Sequence, residues 1–181
     1  MPSMSGHMAI AKKVSDILRI DDDSFIVGNL LPDLYSDKTK SHFKYQSKKF
    51  LVPDIGLAKS HLNLSNKKDL GYLCHLLLDY YYLEEFLKDT ETDIFEDTRI
   101  YKDYDILSKD IVEYFKLEVN HIIELLKKMD EEIENDKLEY NIECLQKSEE
   151  GYTYYLEKDS FINFLEVTAI RIAEEVKPYA S

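Results

Sequence analysis

Residues 71 to 87 read GYLCHLLLDYYYLEEFL. The stretch is apolar nearly all round at helical spacing, which predicts a buried helix running from Leu70 to about Lys88, capped by Ser65 or Asn66. Inside it lie His75 and Asp79, four residues apart, so their side chains stack about 40° from one another on a single helical face. An ionised carboxylate in such surroundings costs several kcal/mol unless a cation compensates it. The chain has three arginines, Arg19, Arg99 and Arg171, none near Asp79 in sequence, and lysine is rarely buried. A bound metal ion is therefore the favoured partner, ahead of the alternative of a core histidine bonded to a backbone carbonyl.

Outward from this helix, composition sets the class. A chain of 181 residues, 44% hydrophobic, has the length of one domain, here residues 1–181. Five glycines and four prolines are too few for the turns of an all-β fold, and the abundance of Leu, Ile, Lys and Glu predicts an all-α, single-domain multi-helix bundle. The net charge of −13, from 36 acidic and 23 basic residues, argues against non-specific nucleic-acid binding and against anionic membrane surfaces. Bound divalent cations would reverse that field locally and admit a small anionic substrate. Cys74 and Cys144 show no C-x-x-C spacing, so neither a disulfide framework nor a thiolate zinc site is expected. The N-terminal MPSMSGHMAIAKK lacks a signal-peptide core and no run of about 18 apolar residues implies a membrane span, so a cytoplasmic location is expected.

In chain order, a first helix is expected from Gly6 to Leu18, with Ser5 as N-cap and His7 in its first turn. A short helix from Ser24 to Leu31 should stop near Pro32, leaving Asp33 in the exit turn. Residues 35–52 read as an ordered loop, and Pro53 suits the first turn of a helix ending near Asn63, with His61 close to its end. Residues 89–103 read as a connection. Two helices follow around Ile106–Leu117 and Val119–Met129, then a charged, solvated run at 130–137, a short helix through Leu138–Leu145, an extended or turn segment GYTYYL at 151–156, and a last helix from Phe161 to Val176.

Four of the five histidines, His7, His42, His61 and His75, fall within the first 75 residues. Imidazole and carboxylate without thiolate is the donor set of hydrolytic zinc, which keeps a coordination position for water. Taken singly, Asp33 reads as a turn or cap residue, His42 as a loop histidine, and His61 as a partner of its helix dipole. His121 precedes Glu124 by three residues and reads as a partly buried helical histidine or as its ion-pair partner. No P-loop, dinucleotide fingerprint or nucleophile elbow is present.

Four segments taken together, GHMAIA (6–11), FIVGNLLPDL (25–34), SHF (41–43) and LGYLCHLLLDYYY (70–82), resemble the zinc-dependent phospholipase C family. That all-helical fold is shared with clostridial alpha-toxin catalytic domains and, distantly, with S1/P1-type nucleases. The resemblance covers roughly the first half of the chain. It implies that Asp33, His42, His75 and Asp79 hold one metal, and that Asp79 bridges to a second metal held also by His7. The chain departs from the family in having no Trp and in placing six residues before His7. It also lacks two further histidines and a glutamate for a third site, for which His121 and Glu124 are the remaining candidates. One or two divalent ions are expected, zinc foremost, and not three.

The reading that follows is a metal-dependent phosphoester hydrolase, phospholipase C-like, acting on a small phosphoester with Asp33 orienting or deprotonating the attacking water. A non-catalytic helical protein with a remnant or structural metal site is the alternative. An HD-like nucleotide phosphohydrolase is a third, against which the lack of an adjacent His-Asp pair counts.

Overall fold

A computed structural model describes residues 3–90, 94–129, 133, 135–146 and 149–180. Its architecture is helical, with a single two-stranded sheet among the described residues. Helix α1 spans Met4–Leu18, α2 Asp23–Leu34, α3 Lys38–Ser41, α4 Ile55–His61 and α5 Lys67–Tyr81. After these come α6 at Arg99–Phe115, α7 at Val119–Lys127, α8 at Asn135–Gln146 and α9 at Lys158–Val176. Strands β1 (Lys44–Gln46) and β2 (Leu51–Pro53) form an antiparallel hairpin between α3 and α4, with Lys44 opposite Pro53.

The closest helix pair is α2 against α5, and two glycines set it. A Cβ on Gly28 would stand 1.8 Å from the Lys68 carbonyl oxygen, and one on Gly71 would stand 2.0 Å from that of Phe25. No side chain fits there, so α2, from Phe25 to Asn29, touches the opening turns of α5 backbone to backbone. Helix α1 packs across both, and α9 covers α1 and α5 from the other side. The core between them is continuous, running from Met8 and Phe25 through Leu73, Leu77 and Tyr82 to Phe161 and Leu165. Within it the hydroxyls of Tyr82 and Tyr104 satisfy each other at 2.8 Å.

Local chemistry explains several boundaries. Asn66 caps α5 through Lys68 N, as one of the two expected candidates. Beyond Tyr81 the helix widens into a π-helical turn, Tyr82–Phe86. Helix α1 is capped by Ser3 and not Ser5, which lies inside its first turn. Pro32 does not stop α2: it forfeits only the bond to the Gly28 carbonyl, the surrounding Leu30, Leu31 and Leu34 are buried, and the helix continues to Leu34. Asp33 therefore sits in the last helical turn and not in an exit turn.

Residues 35–52 are more structured than the loop expected, because Asp37 caps α3 and Phe43, in the left-handed region at φ 49°, turns the chain into β1. Pro53 closes β2, and Asp54 caps α4 by accepting from Leu57 N. The expected connection 89–103 is cut short by α6, which begins at Arg99. The segment 151–156 is held as an irregular turn by Asp103, whose buried carboxylate accepts the backbone N–H groups of Tyr154, Tyr155 and Leu156 at 2.7, 2.7 and 2.9 Å. Of the charged run 130–137, residues 130–132 and 134 lie outside the described residues, and 135–137 open α8. No described helix is long and apolar enough to cross a membrane.

Candidate metal centre

Four separate elements deliver five titratable side chains to one place. His7 comes from the second turn of α1, Asp33 from the last turn of α2, His42 from the residue that ends α3, and His75 and Asp79 from α5. His7, His42, His75 and Asp79 are all fully buried, and only the Asp33 side chain, 12% exposed, keeps contact with solvent.

Backbone partners aim the imidazoles. His75 Nδ1 lies 2.8 Å from the Asn29 carbonyl oxygen. A carbonyl only accepts, so Nδ1 carries the proton and Nε2 of the neutral ring bears a lone pair. His42 Nδ1 lies 2.9 Å from Ser41 Oγ, whose own hydrogen is donated to the Pro32 carbonyl oxygen at 3.0 Å. By the same reasoning His42 Nδ1 is the donor and Nε2 the lone pair. The two Nε2 atoms nevertheless face each other at 3.2 Å, an arrangement that two lone pairs repel and a shared cation resolves.

The carboxylates complete the cluster. Asp79 Oδ1 is 3.4 Å from His7 Nε2, and Asp79 Oδ2 is 3.4 Å from His42 Nε2 and 3.7 Å from His75 Nε2. Asp33 Oδ2 lies 3.9 Å from both His7 and His75 Nε2, and its Oδ1 lies 3.6 Å from His42 Nε2. The rings of His7 and His75 stack at 3.7 Å, only 7° from parallel. Among the described residues, both nitrogens of His7 and both oxygens of Asp79 lack a hydrogen-bond partner. Orphaned buried groups of this kind are rare in folded proteins, and here they are all metal donors. Ligand atoms of His7, His75 and Asp79, and likewise of Asp33, His42 and His75, lie within 4.8 Å of one another. The donor set of imidazole and carboxylate fits one or two zinc ions.

The electrostatics agree. Burial pushes His42 down to about 4, against the pull of Asp79 and Asp33, and likewise drives His75 well below the ordinary histidine value. Burial works against the charge of Asp33 and of Asp79, yet the facing imidazoles, with Lys38 at Asp33, hold both carboxyls below the usual range. Neutral imidazoles beside ionised carboxylates are the protonation states that metal binding needs. Among the described residues Arg99 pairs with Asp97 and Arg171 with Glu85, and no lysine or arginine ion pair reaches Asp79.

The remaining histidines stay apart. His61 is exposed at the end of α4, with Nδ1 at 2.9 Å from the Leu57 carbonyl. His121 is exposed and pairs with Asp23 at 3.0 Å, not with Glu124, which faces Lys128. Sequence reasoning passed over three supporting residues. Asn29 is fully buried, and with its amide turned it bonds the His7 carbonyl at 2.9 Å and the His75 N–H at 3.2 Å, tying α1 to α5. Its polar side chain in the apolar run FIVGNLL was the available signal. Ser41 stands beside His42, and Lys38 Nζ meets Asp33 Oδ1 at 2.5 Å, a pairing that no sequence pattern announces.

The cluster lies at one edge of a cleft of about 910 Å³, which Asp33 lines together with Lys38, Lys44, Phe50, Tyr101 and Ser108.

Fold and cluster together define an all-helical protein built around a buried cluster of histidines and carboxylates whose donor set fits a metal ion. The chain belongs to the zinc-dependent phospholipase C family, whose model matches residues 6–179. The match thus extends through the second half of the chain, beyond the four segments that carried the resemblance. No curated protein and no solved structure matches the chain.

Proposed function

We propose that this protein is a metal-dependent phosphoester hydrolase. His7, His42, His75, Asp33 and Asp79 would hold one or two zinc ions, with Asp79 offering one oxygen toward His7 and the other toward His42 and His75. Zinc in such a site supplies a water of lowered pKa and positive charge for phosphoryl oxygens. The observation that carries the reading is the asymmetry of exposure: four of the five groups are sealed from solvent, and Asp33 alone opens onto the cleft. A purely structural ion needs no such opening.

The chain's own residues have separable roles. The Asn29 carbonyl and Ser41 hydroxyl fix the His75 and His42 rings with Nε2 inward. Asp33, held ionised, accepts a hydrogen bond from a water at the cleft mouth and orients it toward phosphorus. The apolar walls contributed by Phe50, Leu51, Leu83 and Phe95 exclude competing water from the leaving group. Family membership supports this reading over an HD-like phosphohydrolase.

Elemental analysis of protein expressed in metal-replete medium should return one or two zinc per chain. The zinc-loaded protein should turn over members of a phosphodiester and phosphomonoester panel, and His75→Ala should abolish that turnover at retained helix content. Metal-free wild-type protein, or turnover untouched by His75→Ala, would sink the proposal.

A further inference from the structure

The cleft wall beside Asp33 has a charge opposite to that of the chain. Lys38, Lys44 and Lys49, all from the one segment of α3 and the hairpin, line it, in a protein whose acidic residues outnumber the basic by 36 to 23. The acidic lining residues Glu96 and Asp105 come from elsewhere, just before and within α6. Lys38 donates to the Asp33 carbonyl oxygen at 2.7 Å and to Asp33 Oδ1 at 2.5 Å, leaving Oδ2 to face His7 and His75. The ammonium thus stands at the border between metal centre and cleft.

A second, independent feature marks the cleft as built for a polar ligand. Ser108, on α6, lines it and is 2% exposed, and among the described residues its hydroxyl has no hydrogen-bond partner. A buried hydroxyl is seldom left so unless a ligand or water completes it.

We propose that Lys38 and Lys44 are the substrate-phosphate-binding residues of this cleft, meeting the non-bridging phosphoryl oxygens on the side turned away from the histidine cluster. The proposal rests on the phosphoester reading of the site. An ammonium is a compact charge on a flexible stem, suited to follow an anion that shifts during displacement at phosphorus. Once a metal ion shares the Asp33 charge, the Lys38 ammonium is no longer its sole counter-ion and becomes available to the incoming phosphate. Charge-assisted hydrogen bonds of this kind are about twice as strong as neutral ones.

The test measures inorganic phosphate binding to the zinc-loaded protein by calorimetry, alongside zinc content and, for any phosphoester the wild type turns over, kcat and KM. Lys38→Gln should weaken phosphate binding roughly 10- to 100-fold with zinc content retained, Lys38→Arg should recover most of the loss, and Lys44→Gln should weaken binding in the same direction. Lys12→Gln, on α1 outside the cleft, should change nothing. Phosphate affinity unchanged in both Lys38→Gln and Lys44→Gln overturns the proposal. Loss of zinc in Lys38→Gln overturns it for Lys38, reducing that residue to an orienter of Asp33. A wild type that binds phosphate through these lysines but hydrolyses no phosphoester would defeat the hydrolase reading and overturn the substrate role of the lysines, leaving them a phosphate-binding pair only.

Discussion

Asp79 is a fully buried carboxylate whose two oxygens face three imidazoles and no hydrogen-bond donor in bonding alignment. Such a group is suited to a bound cation. Asp79→Asn removes the charge at nearly constant volume. Because the fold holds the wild-type carboxyl below the usual range, the substitution should not stabilise the chelator-treated protein at neutral pH, and it should abolish the rise in thermal midpoint that zinc gives the wild type. Parallel melting curves with and without zinc check both halves. His75 and Asp79 were legible in the sequence because a spacing of four residues on one helix fixes their geometry locally. His42 and Asp33 were not, since a loop histidine and a helix-end aspartate acquire meaning only from what faces them. The family resemblance supplied them, and the structure brings Asp33 within 4 Å of His7 and His75, and His42 within 4 Å of His75 and Asp79.

At the scale of elements, the α2 and α5 contact sets the site. Gly71→Ala would drive a methyl group to 2.0 Å from the Phe25 carbonyl oxygen and force the helices apart. The expected loss is at least about 2 kcal/mol, read by denaturant unfolding, together with weaker zinc binding, because Asp33 would move relative to His75. The clamp of Asp103 on residues 154–156 belongs to the same scale. Asp103→Ala leaves three backbone N–H groups without their acceptor, and a loss of roughly 2–4 kcal/mol is expected, with zinc content unchanged. The sequence predicted most helices, since apolar periodicity is a local signal. It missed the short α3 and the hairpin, where three- and four-residue elements carry no period and are held by caps and by burial of Val52 and Phe50 against the core.

At the scale of the molecule, burial of several neutral imidazoles ties stability to pH. His42 is pushed down to about 4 in the fold, whereas an unfolded imidazole titrates near 6.5. Between those values the unfolded chain binds a proton that the folded chain refuses, so stability falls as pH drops through this window. The His42 contribution to that loss is about 3 kcal/mol and is complete below pH 4. His75, shifted in the same direction, adds to it, and Asp33 and Asp79 extend the loss into more acidic solution. Denaturant unfolding of the chelated protein at pH 7, 5.5 and 4.5 should show a monotonic decline. Zinc should raise the thermal midpoint at neutral pH, by mass action on the folded state alone.

The amino-acid sequence by itself determined the helical class, the buried helix at its centre, and one half of the buried histidine and carboxylate cluster, because each is a matter of period and spacing along a single element. What tertiary structure decided is the other half. Asp33, His42 and His7 come from three further elements, and the glycine-mediated contact of α2 with α5, the tie of Asn29 between α1 and α5, and the bonds of Ser41 to the Pro32 carbonyl and the Tyr72 hydroxyl place them within reach. The Nε2 atoms of His42 and His75, turned toward each other by their backbone and hydroxyl partners, and the single opening at Asp33 are likewise properties of the assembled fold. They depend on distances between segments that are far apart in the chain, and no local pattern encodes those.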